Sequence, residues 1–113
     1  MLKFKGYRLG ENPDTASDSV VLFSVDGVQW AKLPWYLNEV NHSPTGLNWG
    51  YYGSGCAQLA YAILRKYCEK FLVIEVARTH YPSFKYDFVA KWGNEWELDA
   101  EEITEWFANK PLT

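Results

Sequence analysis

The pattern of apolar and polar positions begins with a segment that favours a strand. Phe4 and Tyr7 lie among basic residues over residues 3–9, which predicts a short edge strand. Gly6 within this segment predicts a bulge or close packing, because glycine otherwise weakens a strand. Residues 11–18 contain turn formers and acids but no large apolar side chain, so we expect a solvated loop there.

A β-hairpin is the strongest local prediction. Residues 19–25 are rich in β-branched and aromatic side chains, and Asp26-Gly27 separates them from residues 28–32. Asp-Gly favours the positive backbone angles of a two-residue turn. We therefore expect two antiparallel strands joined at this dipeptide.

The middle of the chain combines an irregular segment with a helix. Residues 33–53 lose periodicity, because proline and glycine interrupt a stretch rich in Trp, Tyr and Leu. A loop of about twenty residues is uncommon in a compact domain and is usually functional when it is ordered. Ser54 is then expected to N-cap a helix that runs to about Tyr67. Apolar residues recur in it at spacings of three and four, which predicts a buried stripe of Cys56, Leu59, Ala60, Ile63, Leu64 and Tyr67.

The segment that follows is ambiguous between helix and strand. Residues 71–76 have strand propensity, but the apolar positions of residues 71–81 also fit one face of a helix, and we favour a second helix ended by Pro82. Residues 84–92 alternate aromatic or small apolar residues with mainly charged ones, which predicts a strand with one buried face.

The last elements are a short extended piece and a helix. Trp96 and Leu98 predict the extended piece. Asp99 then caps a helix over residues 100–109, and Glu102 completes a capping-box pattern. Three apolar residues form the face of this helix, namely Ile103, Trp106 and Phe107.

The order of these elements separates the helices from an antiparallel sheet and so predicts an α+β fold. We expect a small sheet, made of the N-terminal hairpin and a later strand, packed against two to three helices. The 113 residues, 48% of them apolar, suffice for one core, so residues 1–113 are expected to form a single globular domain.

Composition narrows the classes of function. A net charge of −3 makes nucleic acid an unlikely partner, because non-specific affinity for DNA comes mainly from clustered Lys and Arg. The chain lacks a long apolar run and a signal-peptide pattern, which predicts a cytoplasmic protein without membrane contact. Cys56 and Cys68 are too few for a disulfide scaffold or a metal site, so we expect reduced thiols, no metal and no cofactor.

The glycine-rich turn before the first helix is the main candidate for chemistry. Residues 50–55 could bring backbone N–H groups and the positive end of the helix dipole to a carboxylate or phosphate. The turn matches neither the P-loop nor the dinucleotide-binding pattern. The alternative is that its glycines only allow the loop to pack tightly, which is the more common use of glycine.

Cys56 follows this turn, and the helix dipole could activate its thiol with His42 or His80 as a partner. A small buried packing residue is the favoured interpretation. We therefore assign no catalytic residue and expect a protein that is not an enzyme.

Acidic residues cluster between Glu95 and Glu105, with no Lys or Arg among them. Such a cluster could face a basic partner protein. The favoured interpretation is an ordinary solvated helix face, with acids placed favourably near a helix N-terminus.

The sequence from His42 to Leu64, which reads HSPTGLNWGYYGSGCAQLAYAIL, resembles a family of small proteins of unknown function from bacteria, archaea and mobile elements. The family signature is roughly SPTGF-x-WGY-x-GSGPAQLA. This chain has Leu47 where the family tends to have Phe, and Cys56 where it tends to have Pro. The resemblance implies a set of loop groups gathered about one helix N-terminus.

Two functional hypotheses follow. The leading one is a non-enzymatic binding protein, encoded by a phage or another mobile element, with a pocket for a small anionic or nucleotide-like ligand. The residues expected to form this pocket are Ser43, Thr45, Trp49, Tyr51, Tyr52, Ser54, Gly55 and Gln58. The alternative is a protein–protein inhibitor or adaptor, such as an anti-CRISPR or other anti-defence protein, that binds a host protein through Glu101, Glu102 and Glu105.

Overall fold

The computed structural model of the chain describes residues 1–9, 19–44 and 46–110. The predicted loop at 11–18 and the site residue Thr45 lie outside the described residues. The fold is α+β, as predicted, with a sheet and three helices. The strands are β1 (Lys3–Arg8), β2 (Ser19–Ser24), β3 (Ala31–Lys32) and β4 (Glu95–Asp99), and the helices are α1 (Ser54–Phe71), α2 (Glu75–Asp87) and α3 (Ala100–Ala108).

The sheet is antiparallel and has the strand order β3-β2-β1-β4. Phe4 of β1 lies opposite Phe23 of β2 on one side and opposite Leu98 of β4 on the other. The prediction that the first strand lies at an edge was wrong, because β1 is an interior strand. Its second partner lies near the opposite end of the sequence, and local pattern carries no signal for such a pairing.

Gly6 allows close packing in the middle of the sheet, as predicted. It lies directly opposite Trp96, and a Cβ atom at this position would overlap the indole ring of Trp96. Trp96 is itself buried and stacks on Trp92, with ring centroids 3.9 Å apart. The absence of a side chain at position 6 therefore makes room for a tryptophan ring.

The β2–β3 pairing confirms the predicted hairpin, but the two-residue turn was wrong. Residues 25–30 join the strands, and only Ala31–Lys32 form the returning strand. Asp26 organises this longer connection, because its Oδ1 accepts hydrogen bonds from the N–H groups of Val28 (2.8 Å) and Gln29 (2.9 Å). Gly27 has the positive φ of 81° that the Asp-Gly pattern anticipates. The aspartate thus caps a loop rather than a tight turn.

Helix α1 is longer than expected and is the centre of the core. It begins at Ser54, with Gly53 in the N-cap position and no side-chain cap, so the prediction that Ser54 is the cap was wrong. It continues past Tyr67 to Phe71. The predicted stripe is buried, as is every residue from 55 to 64, because the sheet, the loop before α1 and α2 all pack around this helix.

The second helix exists, but both of its predicted limits were wrong. It spans Glu75–Asp87 and includes Pro82, which was expected to end it. Phe84 and Phe88 are four residues apart and their ring centroids lie 4.8 Å apart, so the aromatic alternation of residues 84–92 also satisfies a helix. The strand predicted there was therefore wrong, and a short 3-10 helix at Val89–Lys91 follows α2.

The final elements follow the prediction. Strand β4 buries Trp96 and Leu98, and the Asp99 and Glu102 side chains form a capping box at the start of α3. Ile103 of α3 is fully buried. In the part of the chain that the structure describes, no helix is long and apolar enough to cross a membrane.

Candidate functional site

Gln58 holds the irregular segment of residues 33–53 against α1. Its Oε1 accepts hydrogen bonds from the N–H groups of His42 (2.7 Å) and Ser43 (3.3 Å). Its Nε2 donates to the carbonyl oxygens of Trp35 (2.6 Å) and Val40 (2.9 Å). The Gln58 side chain is fully buried, whereas the bonds to His42, Trp35 and Val40 are only partly buried. The amide is thus engaged with the backbone of its own chain.

Trp49 is also turned into the protein. It is fully buried, its Nε1 donates to the carbonyl oxygen of Gly93 (2.5 Å), and the Arg8 guanidinium lies 4.6 Å from its ring centroid. Arg8 Nη2 donates to the carbonyl oxygen of Trp49 (2.6 Å) and to Oδ1 of Asn48 (3.1 Å). A strand residue therefore clamps the loop, and the Trp49 ring presents no exposed face to a ligand.

The loop packs closely on the first turn of α1. A Cβ atom at Gly55 would lie 3.0 Å from Cβ of Asn48, and the Asn48 N–H donates to the carbonyl oxygen of Gly55 (3.2 Å). A Cβ atom at Gly53 would overlap the ring of Tyr51. These glycines allow tight packing, which was the alternative considered for the glycine-rich turn.

Three of the expected ligand-binding residues instead face outward. Ser54 is exposed, and Tyr51 and Tyr52 expose 40% and 64% of their surface. Tyr52 meets Tyr86 of α2, with ring centroids 5.3 Å apart and an interplanar angle of 36°. Lys85 Nζ lies 4.9 Å from the centroid of the Tyr86 ring.

We call the exposed residues Tyr52, Ser54 and Tyr86, together with the half-buried Lys85, the tyrosine platform. Tyr86 is 54% exposed, so the two rings together offer a wide aromatic surface. The first turn of α1, which includes Ser54, contains no acidic residue. The platform thus joins aromatic faces, an ammonium group and the positive end of a helix dipole.

The sequence missed Lys85 and Tyr86 because it placed them on a strand. On α2 they reach the start of α1, where the Lys85 charge acts on Cys56. No local signal could have found them, because Phe84 and Phe88, four residues apart, share one face of a helix and also one face of a strand.

Cys56 does not have the surroundings of a reactive thiol. It is fully buried, and burial raises the pKa of its thiol, outweighing the lowering effects of the Tyr51 and Gly53 backbones and of the Lys85 charge. Among the residues that the structure describes, no hydrogen bond joins it to a histidine. His42 instead bonds to the hydroxyl of Tyr81 through Nε2 (2.5 Å).

A second, partly buried cluster joins the loop to α1, and no local pattern along the chain indicates it. Glu39 accepts hydrogen bonds at Oε1 from the Tyr61 hydroxyl (2.6 Å) and from Nε of Arg65 (2.8 Å). The bond from Arg65 holds the pKa of Glu39 below its usual value. Burial, followed by the bond to Glu39, raises the pKa of Tyr61 to about 12. Tyr61 thus stays protonated as the donor to a charged carboxylate.

The acidic region lies on β4 and α3. Glu101, Glu102 and Glu105 are exposed, as are Glu95 and Glu97. Glu102 is committed in part to the capping box, because its Oε2 accepts a hydrogen bond from the Asp99 N–H (3.0 Å). No ion pair between described residues involves a carboxylate of this region.

The structure therefore divides the expected ligand-binding residues. Four of them are buried, namely Ser43, Trp49, Gly55 and Gln58. The other three that the structure describes are exposed, namely Tyr51, Tyr52 and Ser54. No group of three or more His, Cys, Asp or Glu that could hold a metal ion exists among the described residues.

Comparison with known families identifies a match over almost the whole chain. The model of a family of unknown function (DUF6166) matches residues 4–109, and the chain belongs to this family. Neither a curated protein nor a solved structure matches the chain.

Proposed function

We propose that this member of the DUF6166 family is a non-enzymatic binding protein that takes a small, planar, anionic ligand of nucleotide type on the tyrosine platform. The observation that carries the proposal is the exposed ring pair of Tyr52 and Tyr86 beside Lys85. A contiguous exposed apolar surface is characteristic of a binding site.

The platform has the chemistry that such a ligand requires. Planar bases stack on aromatic side chains with little dependence on sequence, at about 1–3 kcal/mol per base. The Lys85 ammonium and the dipole of α1 favour a phosphate or carboxylate at Ser54. The charges of Lys85 and Arg8 both act to lower the pKa of the Cys56 thiol, as nearby positive charge is expected to do.

The proposal changes the roles given to individual residues. Tyr52 and Tyr86 replace Trp49 as the stacking groups, because Trp49 is enclosed by Arg8 and the loop. Gln58 holds the loop from beneath rather than touching the ligand.

Titration with nucleotides, cyclic dinucleotides and ADP-ribose derivatives tests the proposal. Binding is monitored by thermal shift and by changes in the amide chemical shifts of the protein. A ligand that binds to the platform stabilises the folded state by mass action. Tyr52→Ala is expected to weaken binding about tenfold through lost stacking. Phe71→Ala is the matched control, because Phe71 is an exposed ring in contact with Tyr67 at the opposite end of α1.

Charge is tested in the same way. Lys85→Gln should weaken binding, while Lys70→Gln, which removes a charge from the last turn of α1, should leave it unchanged. Absence of stabilisation by every compound in the panel would overturn the proposal.

An origin in a phage or other mobile element, and an anti-defence role through Glu101, Glu102 and Glu105, stay predictions from the sequence.

A further inference from the structure

One face of the sheet is open to solvent along β1 and β4, although Ser24 of β2 is buried on the same face. The helices pack on the face that buries Phe4, Val21 and Leu98. The opposite face, which we call the outer face, presents the alternate residues of β1 and β4: Lys3, Lys5, Tyr7, Glu95, Glu97 and Asp99. These side chains are exposed or only half-buried.

Two adjoining depressions follow the β1–β4 pair. One encloses about 380 Å³ between the hairpin connection, at Gly27 and Trp30, and the side chains of Glu97 and Glu102. The other encloses about 500 Å³ beside Tyr7 and also contacts Glu97. Both are lined by Glu97, so they adjoin at this residue along the β1–β4 pair.

The outer face carries three lysines, Lys3, Lys5 and Lys32, but no ion pair between described residues joins them to its carboxylates. Lys5 lies directly opposite Glu97, which is the position for a cross-strand ion pair. Its Nζ instead lies 4.1 Å from the centroid of the Trp30 ring, and no ion pair between described residues involves Glu97. The smaller depression is lined by three carboxylates, from Glu97, Asp99 and Glu102, and by one ammonium, from Lys3.

We infer that the outer face is a docking groove for an extended, basic segment of a partner protein, with arginine or lysine at every second position. Alternate residues of an extended chain are spaced at roughly 6.6 Å. Glu95, Glu97 and Asp99 alternate along β4 with the same period, so successive basic side chains of the partner meet successive carboxylates. A guanidinium fits the smaller depression, where Trp30 supplies an aromatic face and Glu97 a carboxylate.

This docking groove is independent of the tyrosine platform. The groove residues belong to the hairpin, to β1, to β4 and to the start of α3, whereas the platform joins α1 and α2. Failure of either proposal leaves the other intact.

The probe is a short, labelled synthetic peptide in which arginine alternates with threonine. Its binding to the full chain is measured by fluorescence anisotropy at about 0.15 M salt, where long-range attraction between exposed charges is largely screened. A peptide of the same composition, with its arginines in one block, is the first control. The alternating peptide should bind more tightly. The protein amides whose chemical shifts change on binding should be those of β1 and β4.

Paired variants separate the groove from overall charge. The double variant Glu95→Gln, Glu97→Gln should weaken binding about tenfold or more, because hydrogen bonds to charged groups are the strong ones. The matched control, Glu75→Gln, removes a carboxylate from the start of α2 and should leave binding unchanged. Trp30→Leu tests the aromatic wall, and circular dichroism confirms that each variant is folded.

Equal affinity for the two peptides would overturn the inference. An equal loss of binding in the Glu75 variant would also overturn it. So would chemical-shift changes confined to amides of the helices, which pack on the other face of the sheet.

Discussion

At the scale of single residues, Gln58 shows how a polar side chain can decide the course of a long loop. Four backbone groups of the loop have the Gln58 amide as a hydrogen-bond partner. Buried backbone groups without partners are costly, so the loop conformation depends on this amide.

Gln58→Leu is expected to destabilise the fold by about 3 kcal/mol, because it leaves several backbone groups without partners. Urea denaturation followed by circular dichroism measures the loss. Gln29→Leu, at an exposed position of the hairpin connection, is the control and should change stability little. An equal effect of the two substitutions would show that Gln58 does not hold the loop.

Gly6→Ala is expected to destabilise the protein by about 2 kcal/mol, because the added methyl group overlaps the Trp96 indole and a packed core resists extra volume. Gly93→Ala supplies the comparison, since a Cβ atom there has no neighbour within 4 Å. Thermal or urea unfolding of the two variants distinguishes them. Equal stabilities would mean that the tryptophan moves aside at no cost.

His80 should make stability depend on pH. Burial, and then the charge of Lys110, lowers the pKa of His80 below 6.5, so the unfolded chain binds a proton more readily than the folded chain. The His80 contribution is therefore constant above pH 6.5, and stability falls as the pH drops through 6.5 towards the folded-state pKa. Glu39 and Glu69, whose pKa values are lowered from 4.5, act only at more acidic pH.

Free energies of unfolding measured from about pH 7.5 to about pH 5 test this effect. The decline should be smaller in His80→Gln than in the unmodified chain, and His42, present in both, cancels in the difference. Parallel curves for the two proteins would contradict the prediction.

At the scale of elements, the sequence predicted best where local chemistry decides the structure. The capping box of α3 and the buried stripe of α1 depend on residues within one or two turns of each other. The strand predicted at residues 84–92 failed because its aromatic residues satisfy both periods, and contacts of Phe84 and Phe88 with Trp106 favour the helix. The prediction that Pro82 ends α2 also failed because of tertiary packing. Ala77 and Phe84, on either side of the proline, are both buried residues of this one helix.

Asp99→Ala is expected to lower stability by about 1 kcal/mol, because the N–H group of Glu102 loses its acceptor at the start of α3. Glu101→Ala changes an exposed acid in the same turn and serves as the control. Chemical denaturation should separate the two variants. If Glu101→Ala costs as much, general charge rather than capping stabilises α3.

At the scale of the whole molecule, the candidate site could be predicted only in part. The start of α1 could be placed from its glycines and its apolar stripe, and His42, Ser43 and Asn48 do lie against its first turns. Which side of each aromatic ring faces solvent depends on Arg8 and on α2, which are distant in sequence. The exposed face of the sheet could not be predicted either, because it forms only when β1 is an interior strand that pairs with β4.

Hydrogen exchange tests the hierarchy of stability across the molecule. Amides of β1 and of the middle of α1 should exchange only through global unfolding, because these elements are enclosed by others. Amides of β3, a two-residue strand at the sheet edge, should exchange through local opening. Fast exchange in β1 would contradict its central role.

The interior position of β1 has a consequence for biosynthesis. A ribosome releases β1 and β2 early, but β4 follows only after both long helices have been translated. Until then the nascent chain carries β1 without its second partner, and such an unpaired strand edge is the kind that pairs with other chains. Rapid capture of β4, or shielding by a chaperone, would therefore govern the yield of folded protein in the cell.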